Sequence, residues 1–216
     1  MLMQYFTSRG YAYLAINYTG SSGHGKVYRE ALFGEWGILD RDDVAKAVDH
    51  LARNGHIDRS RVGVEGGSAG GYNVLCSLTW HPGVFAGGIC YCGVSDIKAL
   101  DAETHKMESN YVTVLLDLEG KTEAEKEELF RARSPLFRAE SITAPLLLIH
   151  GNVDMIVPIE QSREIKRNIE KRGGDVELIV LEGEGHNFER ANSWQTILVE
   201  GEKWWRKTLL KLPPPA

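Results

Sequence analysis

The segment RVGVEGGSAGG, Arg61 to Gly71, contains a short apolar run followed by the pattern Gly-x-Ser-x-Gly around Ser68. An apolar stretch of helical length, 69–80, comes next. A strand, a sharp turn and a helix in this order are typical of a nucleophile elbow, in which the turn lifts a serine hydroxyl above a parallel sheet. We expect Gly66 and Gly70 to leave room for the strained backbone at the serine. The segment therefore predicts Ser68 as a catalytic nucleophile.

A glycine-rich turn is also found in phosphate-binding loops, so the motif has a second interpretation. No lysine follows the glycines, which disfavours a nucleotide-binding P-loop. The strand before Ser68 and the helix after it favour the nucleophile. In that arrangement the backbone N–H of Ala69, at the helix N-terminus, faces a developing oxyanion.

Short apolar runs alternate with longer amphipathic ones along the rest of the chain, which indicates a parallel sheet with right-handed crossovers. The two long segments 19–37 and 93–120 are predicted as loops. The fold class is therefore α/β, an α/β-hydrolase sheet that is mostly parallel, with helices on both faces. The predicted strands are 11–18, 61–65, 87–92, 146–150 and 176–181, and the predicted helices are 41–54, 69–80, 121–133, 158–172 and 193–211.

Nucleophile-elbow hydrolases place their triad in the order serine, acid, histidine. Asp154 follows the strand 146–150 and His186 lies on a glycine-flanked loop after the strand 176–181, so we predict these residues as acid and base. Asp154 has an alternative interpretation as a turn or helix-cap aspartate. His150 competes as base, but it ends a buried strand and is interpreted as a structural hydrogen bonder. Asp96 competes as acid, one strand too early.

Composition excludes several other classes of function. The chain has 216 residues, enough for one domain, and a net charge of −5, which argues against nucleic-acid and membrane partners. No apolar run reaches membrane-spanning length, and 1–10 lacks the pattern of a secretory signal, so we expect a cytoplasmic protein. Cys76, Cys90 and Cys92 lack the spacing of a metal site, and none is expected. As strand residues, Cys90 and Cys92 would point to one face.

These segments resemble the catalytic domain of the prolyl oligopeptidase family, serine peptidase family S9, and most of all its acylaminoacyl-peptidase and dipeptidyl-peptidase-like branch. The resemblance implies a serine peptidase that acts on short peptides without a cofactor, with Tyr111 as one wall of the substrate pocket. It extends over nearly the whole chain and rests on 17–25 (NYTGSSGHG), 33–37 (FGEWG) with Asp40, Asp42 and Asp43, Thr104, His105, Glu108 and Tyr111, Ser134-Pro135, the run 150–158 and 183–186 (GEGH).

The chain departs from the family pattern in two ways. Thr19 stands where the family usually has Arg. Family members also carry an N-terminal β-propeller and further strands, and their third strand lies between the equivalents of 11–18 and 61–65. The loop after that third strand supplies a second oxyanion donor. The resemblance therefore implies that 1–216 is one catalytic domain that is incomplete at its N-terminus.

The residues leave three functions open. A serine peptidase of the acylaminoacyl or dipeptidyl type is the first, and a carboxylesterase or other acyl hydrolase with the same triad is the second, because fold and triad do not select the leaving group. A non-catalytic interaction domain is the third. A homo-oligomer is compatible with each of them.

Overall fold

A parallel sheet of four strands forms the centre of the protein, as seen in a computed structural model that describes residues 1–103 and 110–213. The strand order follows the chain order, and each adjacent pair is parallel. The predicted α/β class is confirmed. The strands are β1 (Gly63–Gly67), β2 (Gly87–Tyr91), β3 (Leu146–Gly151) and β4 (Val176–Leu181).

Helices connect the strands, and those predicted from the sequence begin and end within two residues of the observed bounds, except 193–211, whose last turns are a π-helical segment beyond the end of the α-helix. The α-helices are α1 (Leu2–Thr7), α2 (Lys26–Glu30), α3 (Leu39–Arg53), α4 (Ala69–Trp80), α5 (Ile97–Glu103), α6 (Tyr111–Leu116), α7 (Glu123–Arg133), α8 (Glu160–Glu170) and α9 (Ala191–Trp205). Short 3₁₀ segments lie at Arg59–Arg61 and Pro135–Ser141, and a π-helical turn, Arg206–Leu210, follows α9.

The sheet is covered on both faces, as predicted, because side chains of a strand alternate between faces. Leu146 and Leu148 of β3 join one apolar cluster with residues of α3, α4 and α8. Leu147 and Ile149 join another cluster with residues of α1 and α9. β3 therefore lies at the centre of the core, and its carboxyl end is held rigidly where the site forms.

The segment 11–18 is not a strand, and this prediction is wrong. It has no ladder partner in the described part of the chain, and β1 is the edge of the sheet next to it. An apolar pattern predicts that a segment is buried, but a strand also needs a neighbour for its N–H and C=O groups. The resemblance anticipated a strand position between this segment and β1.

Two predicted loops contain helices. α2 interrupts the loop 19–37, and α5 and α6 lie in the segment 93–120. α5 and α6 pack with Trp36 and Tyr72 in a third apolar cluster, so tertiary packing stabilises two helices that are too short to form alone.

The three cysteines are free and buried, in agreement with the interpretation as packing residues. Cys90 and Cys92 do not share a face, because Cys92 lies beyond the end of β2 with φ of 37° and packs in the opposite cluster. Among residues 1–103 and 110–213, no helix is long and apolar enough to cross a membrane.

Candidate active site

Ser68 occupies the single-residue turn between β1 and α4. Its backbone has φ of 55° and ψ of −119°, a conformation that costs about 1–3 kcal/mol for a residue other than glycine. Two backbone hydrogen bonds hold it there, Ser68 N–H to Tyr91 O at 2.9 Å and Tyr72 N–H to Ser68 O at 2.9 Å. The strain is therefore maintained by β2 on one side and the first turn of α4 on the other.

The glycines around Ser68 have different roles from those expected. A Cβ on Gly66 would lie 2.5 Å from the carbonyl oxygen of Gly70, so glycine is required there. A Cβ on Gly70 would meet no atom within 4 Å, so the expected steric need at that position is wrong. Gly71 is the second required glycine, because its Cβ would lie 2.7 Å from the Cα of Gly93. The close approach is between α4 and the chain after β2.

His186 lies in the loop between β4 and α9, and its ring contacts both other predicted triad residues. Nε2 lies 2.8 Å from the Ser68 hydroxyl oxygen, and Nδ1 lies 2.8 Å from Oδ2 of Asp154. The imidazole is 13% exposed. The structure thus brings together three residues that are 118 and 32 positions apart in the chain.

Glu184 holds the loop that carries His186. Its carboxylate accepts the backbone N–H groups of Glu189 at 3.0 Å and Arg190 at 2.9 Å, just before α9 begins. Its carbonyl oxygen accepts the N–H of Val153 at 3.1 Å, next to Asp154. One buried residue therefore links the loop of the base to the loop of the acid.

Asp154 follows β3, and its side chain is fully buried. Oδ1 accepts the N–H groups of Ile156 and Val157 at 2.9 Å each, while Oδ2 faces His186 and His150. Burial opposes ionisation, but the hydrogen bonds from His150, from His186 and from the two backbone N–H groups outweigh it, so the pKa of Asp154 is held below its usual range. Asp154 is therefore a carboxylate that can stabilise a positive charge on His186.

The two competing residues have other positions. Asp96 accepts the N–H of Lys98 at 2.9 Å at the start of α5, so its carboxylate caps that helix. His150 is fully buried as expected, but it also contacts Asp154, with Nε2 3.3 Å from Oδ2. Sequence reasoning missed that contact, although the i,i+4 spacing of His150 and Asp154 across the end of β3 was visible.

The remaining predicted site residues lie on α4 and α6. Ala69 is the first residue of α4, where backbone N–H groups have no partner within the helix, so this N–H is available to an anion beside Ser68. Tyr111 is the first residue of α6 and is 41% exposed. Its ring packs edge-on against Trp36, with centroids 5.6 Å apart, and Trp36 in turn packs on Tyr72 of α4 at 4.4 Å. Thr104, His105 and Glu108 lie outside the described residues.

A cavity of about 340 Å³ opens beside Ser68 and His186. Most of its wall is apolar and comes from Leu2, Tyr91, Phe188 and Trp194. It provides space for an apolar group next to the serine hydroxyl.

Thr19, which replaces the usual arginine of the resemblance, has a polar partner. Its hydroxyl donates to Oδ2 of Asp43 at 2.6 Å, and its N–H donates to the same oxygen at 2.9 Å. Nearby Asp40 is 1% exposed and accepts the N–H of Gly37 at 2.7 Å. Burial raises the pKa of Asp40 to about 6 despite this hydrogen bond. The loop before α3 is thus tied down by two aspartates, one of which is costly to ionise.

The side chains of Cys92, Asp154 and His186 place three potential metal ligands within 4.8 Å of one another. Oδ1 of Asp154 already accepts two backbone N–H groups and Oδ2 already faces two imidazoles, which a metal would have to displace. Burial and the nearby Asp154 carboxylate raise the pKa of the Cys92 thiol to about 12. The donor set therefore suits a proton-transfer site better than a resident metal, and the absence of a metal stays a prediction.

The elbow, the parallel sheet and the hydrogen-bonded serine, histidine and aspartate define a protein of the α/β-hydrolase class. Within that class, the profile of the prolyl oligopeptidase family matches residues 1–211, and the chain belongs to this family. The resemblance given by the sequence motifs is confirmed.

Relatives named for peptidase activities support the same branch. The chain is 34% identical over 189 residues to the dipeptidyl aminopeptidase BIII of Pseudoxanthomonas mexicana, covering 87% of this chain and 27% of that protein. It is 28% identical over 208 residues to an acylamino-acid-releasing enzyme of Arabidopsis thaliana, covering 95% and 27%. The structure of a Mycobacterium tuberculosis puromycin-hydrolyzing peptidase superposes with a TM-score of 0.91 and 33% identity, covering 98% and 31%. The chain thus spans between a quarter and a third of the length of these relatives.

Proposed function

We propose that this chain carries the catalytic site of a serine peptidase that hydrolyses short peptides of the dipeptidyl or acylaminoacyl type. The observation that carries the proposal is the continuous hydrogen-bonded chain from Ser68 through His186 to Asp154 on a nucleophile elbow. The family membership and the names of the relatives support the choice of peptides as substrates.

In the first half of the reaction, His186 Nε2 accepts the proton of the Ser68 hydroxyl as the serine oxygen attacks the carbonyl carbon of the substrate. The carbonyl oxygen becomes an oxyanion that accepts the N–H of Ala69. Asp154 keeps the second imidazole proton on Nδ1 and stabilises the imidazolium. When the tetrahedral intermediate collapses, His186 donates the proton to the leaving amine, and an acyl-enzyme remains on Ser68.

In the second half, a water molecule takes the place of the leaving amine. His186 accepts a proton from this water while its oxygen attacks the acyl carbon, and the bond to the serine oxygen breaks. The proton returns to Ser68, and the acid product leaves. Every proton in the cycle passes through Nε2, the ring atom that lies 2.8 Å from the serine oxygen.

We propose Tyr111 as one wall of the pocket for the residue before the scissile bond. The proposal rests on the family resemblance and on a partly exposed ring that packs against Trp36, which in turn packs on Tyr72. A ring held in this way would present a rigid face to a substrate side chain, because its rotamer is limited by packing.

The test is labelling with a fluorophosphonate followed by a substrate panel, on the complete gene product that contains this chain. We expect covalent labelling of Ser68 that is lost in Ser68→Ala and strongly slowed in His186→Ala. Aminoacyl and dipeptidyl arylamides and N-acyl amino-acid amides should then be cleaved. Cleavage of short-chain esters without any cleavage of these amides would identify an esterase, and the absence of labelling would indicate a non-catalytic domain.

A further inference from the structure

The Asp154 carboxylate faces a second imidazole, that of His150, which no step of the proposed mechanism uses. His150 is the penultimate residue of β3 and is 0% exposed. Its Nε2 lies 2.7 Å from the carbonyl oxygen of Val157 and 3.3 Å from Oδ2 of Asp154. Its Nδ1 lies 2.8 Å from the hydroxyl oxygen of Ser162 on α8. The ring is therefore clamped between the loop of the acid and a helix.

The partners determine which nitrogen carries the proton. The Val157 carbonyl and the ionised Asp154 carboxylate can only accept hydrogen bonds, so Nε2 of His150 must be the donor. The Ser162 hydroxyl can donate to Nδ1, so one neutral tautomer satisfies every contact. The Nε2–H donates to the Val157 carbonyl at 2.7 Å, and Oδ2, which accepts from His186 Nδ1 at 2.8 Å, lies 3.3 Å from the same Nε2 as a second, more distant acceptor.

We propose that His150 is a positioning residue that shares the Asp154 carboxylate with the base and thereby limits the negative charge that His186 experiences. The inference rests on the proposed function, because it assumes that His186 is the base. Two N–H groups near one oxygen compete for its electron density. Removal of the His150 N–H by substitution therefore strengthens the contact between Asp154 and His186, which raises the affinity of His186 for a proton. The i,i+4 spacing of His150 and Asp154 across a strand end makes this sharing a property of the local chain.

Few other titratable groups face this carboxylate among the described residues. His186 approaches it from the β4–α9 loop, and Cys92 approaches from the chain after β2. The thiol stays neutral over the pH range of an assay, because burial and Asp154 raise the pKa of Cys92 to about 12. Changes in the acidic limb of a pH profile can therefore be assigned to the two imidazoles and Asp154.

Three substitutions separate the shared donor from simple loss of a buried hydrogen bond. His150→Asn places an amide near the former Nδ1, where it can meet Ser162, but it is too short to reach Asp154. His150→Gln extends an amide to the former Nε2 and restores a donor toward Asp154. Ser162→Ala removes a buried hydrogen bond at the same place and leaves the Nε2–H donor intact, so it is the matched structural control.

The readout is the rate of fluorophosphonate labelling of Ser68 as a function of pH, in the complete gene product. In His150→Asn we expect the midpoint of the acidic limb of the pH–rate profile to move up by about half a pH unit. At pH values below that midpoint, labelling then becomes about threefold slower. His150→Gln and Ser162→Ala should show the same midpoint as the unchanged protein. The inference is overturned if the midpoint does not change in His150→Asn. It is also overturned if the midpoint changes in Ser162→Ala or His150→Gln by as much as in His150→Asn.

A second measurement does not depend on the folding of a variant. Imidazole ¹⁵N and ¹H spectra of the unchanged protein should show His150 protonated on Nε2 alone, with a proton resonance that shifts as His186 gains its proton. A His150 resonance that ignores the titration of His186, or a proton on Nδ1, overturns the inference. Failure of the proposed function is distinguishable from both, because unchanged protein would then not label at Ser68 at all.

Discussion

Gly66→Ala tests whether the geometry of the elbow produces the reactivity of Ser68. The new Cβ would lie 2.5 Å from the Gly70 carbonyl oxygen, about 0.9 Å short of the 3.4 Å at which ordinary contact begins. The Gly70 oxygen is a backbone atom in the first turn of α4, so no flexible side chain can move aside. The turn that carries Ser68 must itself shift by most of that distance.

The magnitude follows from this displacement. A misplacement of about 1 Å at a reacting group costs on the order of 100-fold in rate, and overpacking a core costs about 1–3 kcal/mol. We therefore expect fluorophosphonate labelling of Gly66→Ala to be about 100-fold slower, while the free energy of unfolding falls by about 1–3 kcal/mol. The rate should fall even in protein that remains folded, because the clash moves the nucleophile away from His186.

Gly70→Ala is the matched control, because a Cβ there meets no atom within 4 Å. Replacement of a helical glycine by alanine stabilises by up to about 1 kcal/mol, so this variant should be at least as stable and should label at the unchanged rate. Labelling rates and unfolding curves of both variants are measured in the complete gene product. Equal labelling by Gly66→Ala and Gly70→Ala would refute the steric reasoning, as would a Gly70→Ala variant that is the more impaired.

Three further outcomes are expected. Asp154→Asn should lower kcat by about 10⁴-fold with little change in KM, because an amide cannot hold His186 in the required tautomer. A decrease in kcat of less than about tenfold in steady-state kinetics would contradict the assignment of Asp154 as the acid. Burial raises the pKa of Asp40 to about 6 from 3.8, so the folded state holds its proton to higher pH than the unfolded state, and stability declines by about 2 kcal/mol as the pH rises from 4 to 7. Asp40→Asn should lack this decline in pH-dependent unfolding, and parallel curves for the two proteins would contradict it. Tyr111→Ala should raise KM for arylamides more than it lowers kcat, and an unchanged KM would argue against Tyr111 as a pocket wall.

The local parts of the fold could be read from the sequence because their causes are local. The turn at Ser68 needs small neighbours and a helix directly after it, and both are present between Gly66 and Trp80. The positions of Asp154 and His186 follow from the rule that loops after parallel strands meet at one edge of the sheet. These features depend on residue types at fixed short spacings.

Other predictions failed where a partner distant in the chain decides the outcome. The segment 11–18 has an apolar pattern but finds no strand to pair with in the described structure. Gly71, and not Gly70, faces the close approach of Gly93 after β2, which no local pattern around Ser68 reveals. Cys92 has a positive φ beyond the end of β2, so its thiol lies in the apolar cluster on the face opposite Cys90, which the alternation of strand residues does not predict.

The sequence by itself therefore determined the α/β class, the family and the identities of the candidate triad residues, since periodicity, turn chemistry and motif order are carried by neighbouring residues. The tertiary structure alone decided which oxygen of Asp154 serves His186, and that Gly71 is the glycine that the chain at Gly93 approaches. Those are matters of distances of about 3 Å between segments far apart in the chain. Such distances depend on how every strand and helix packs, and no local pattern encodes them.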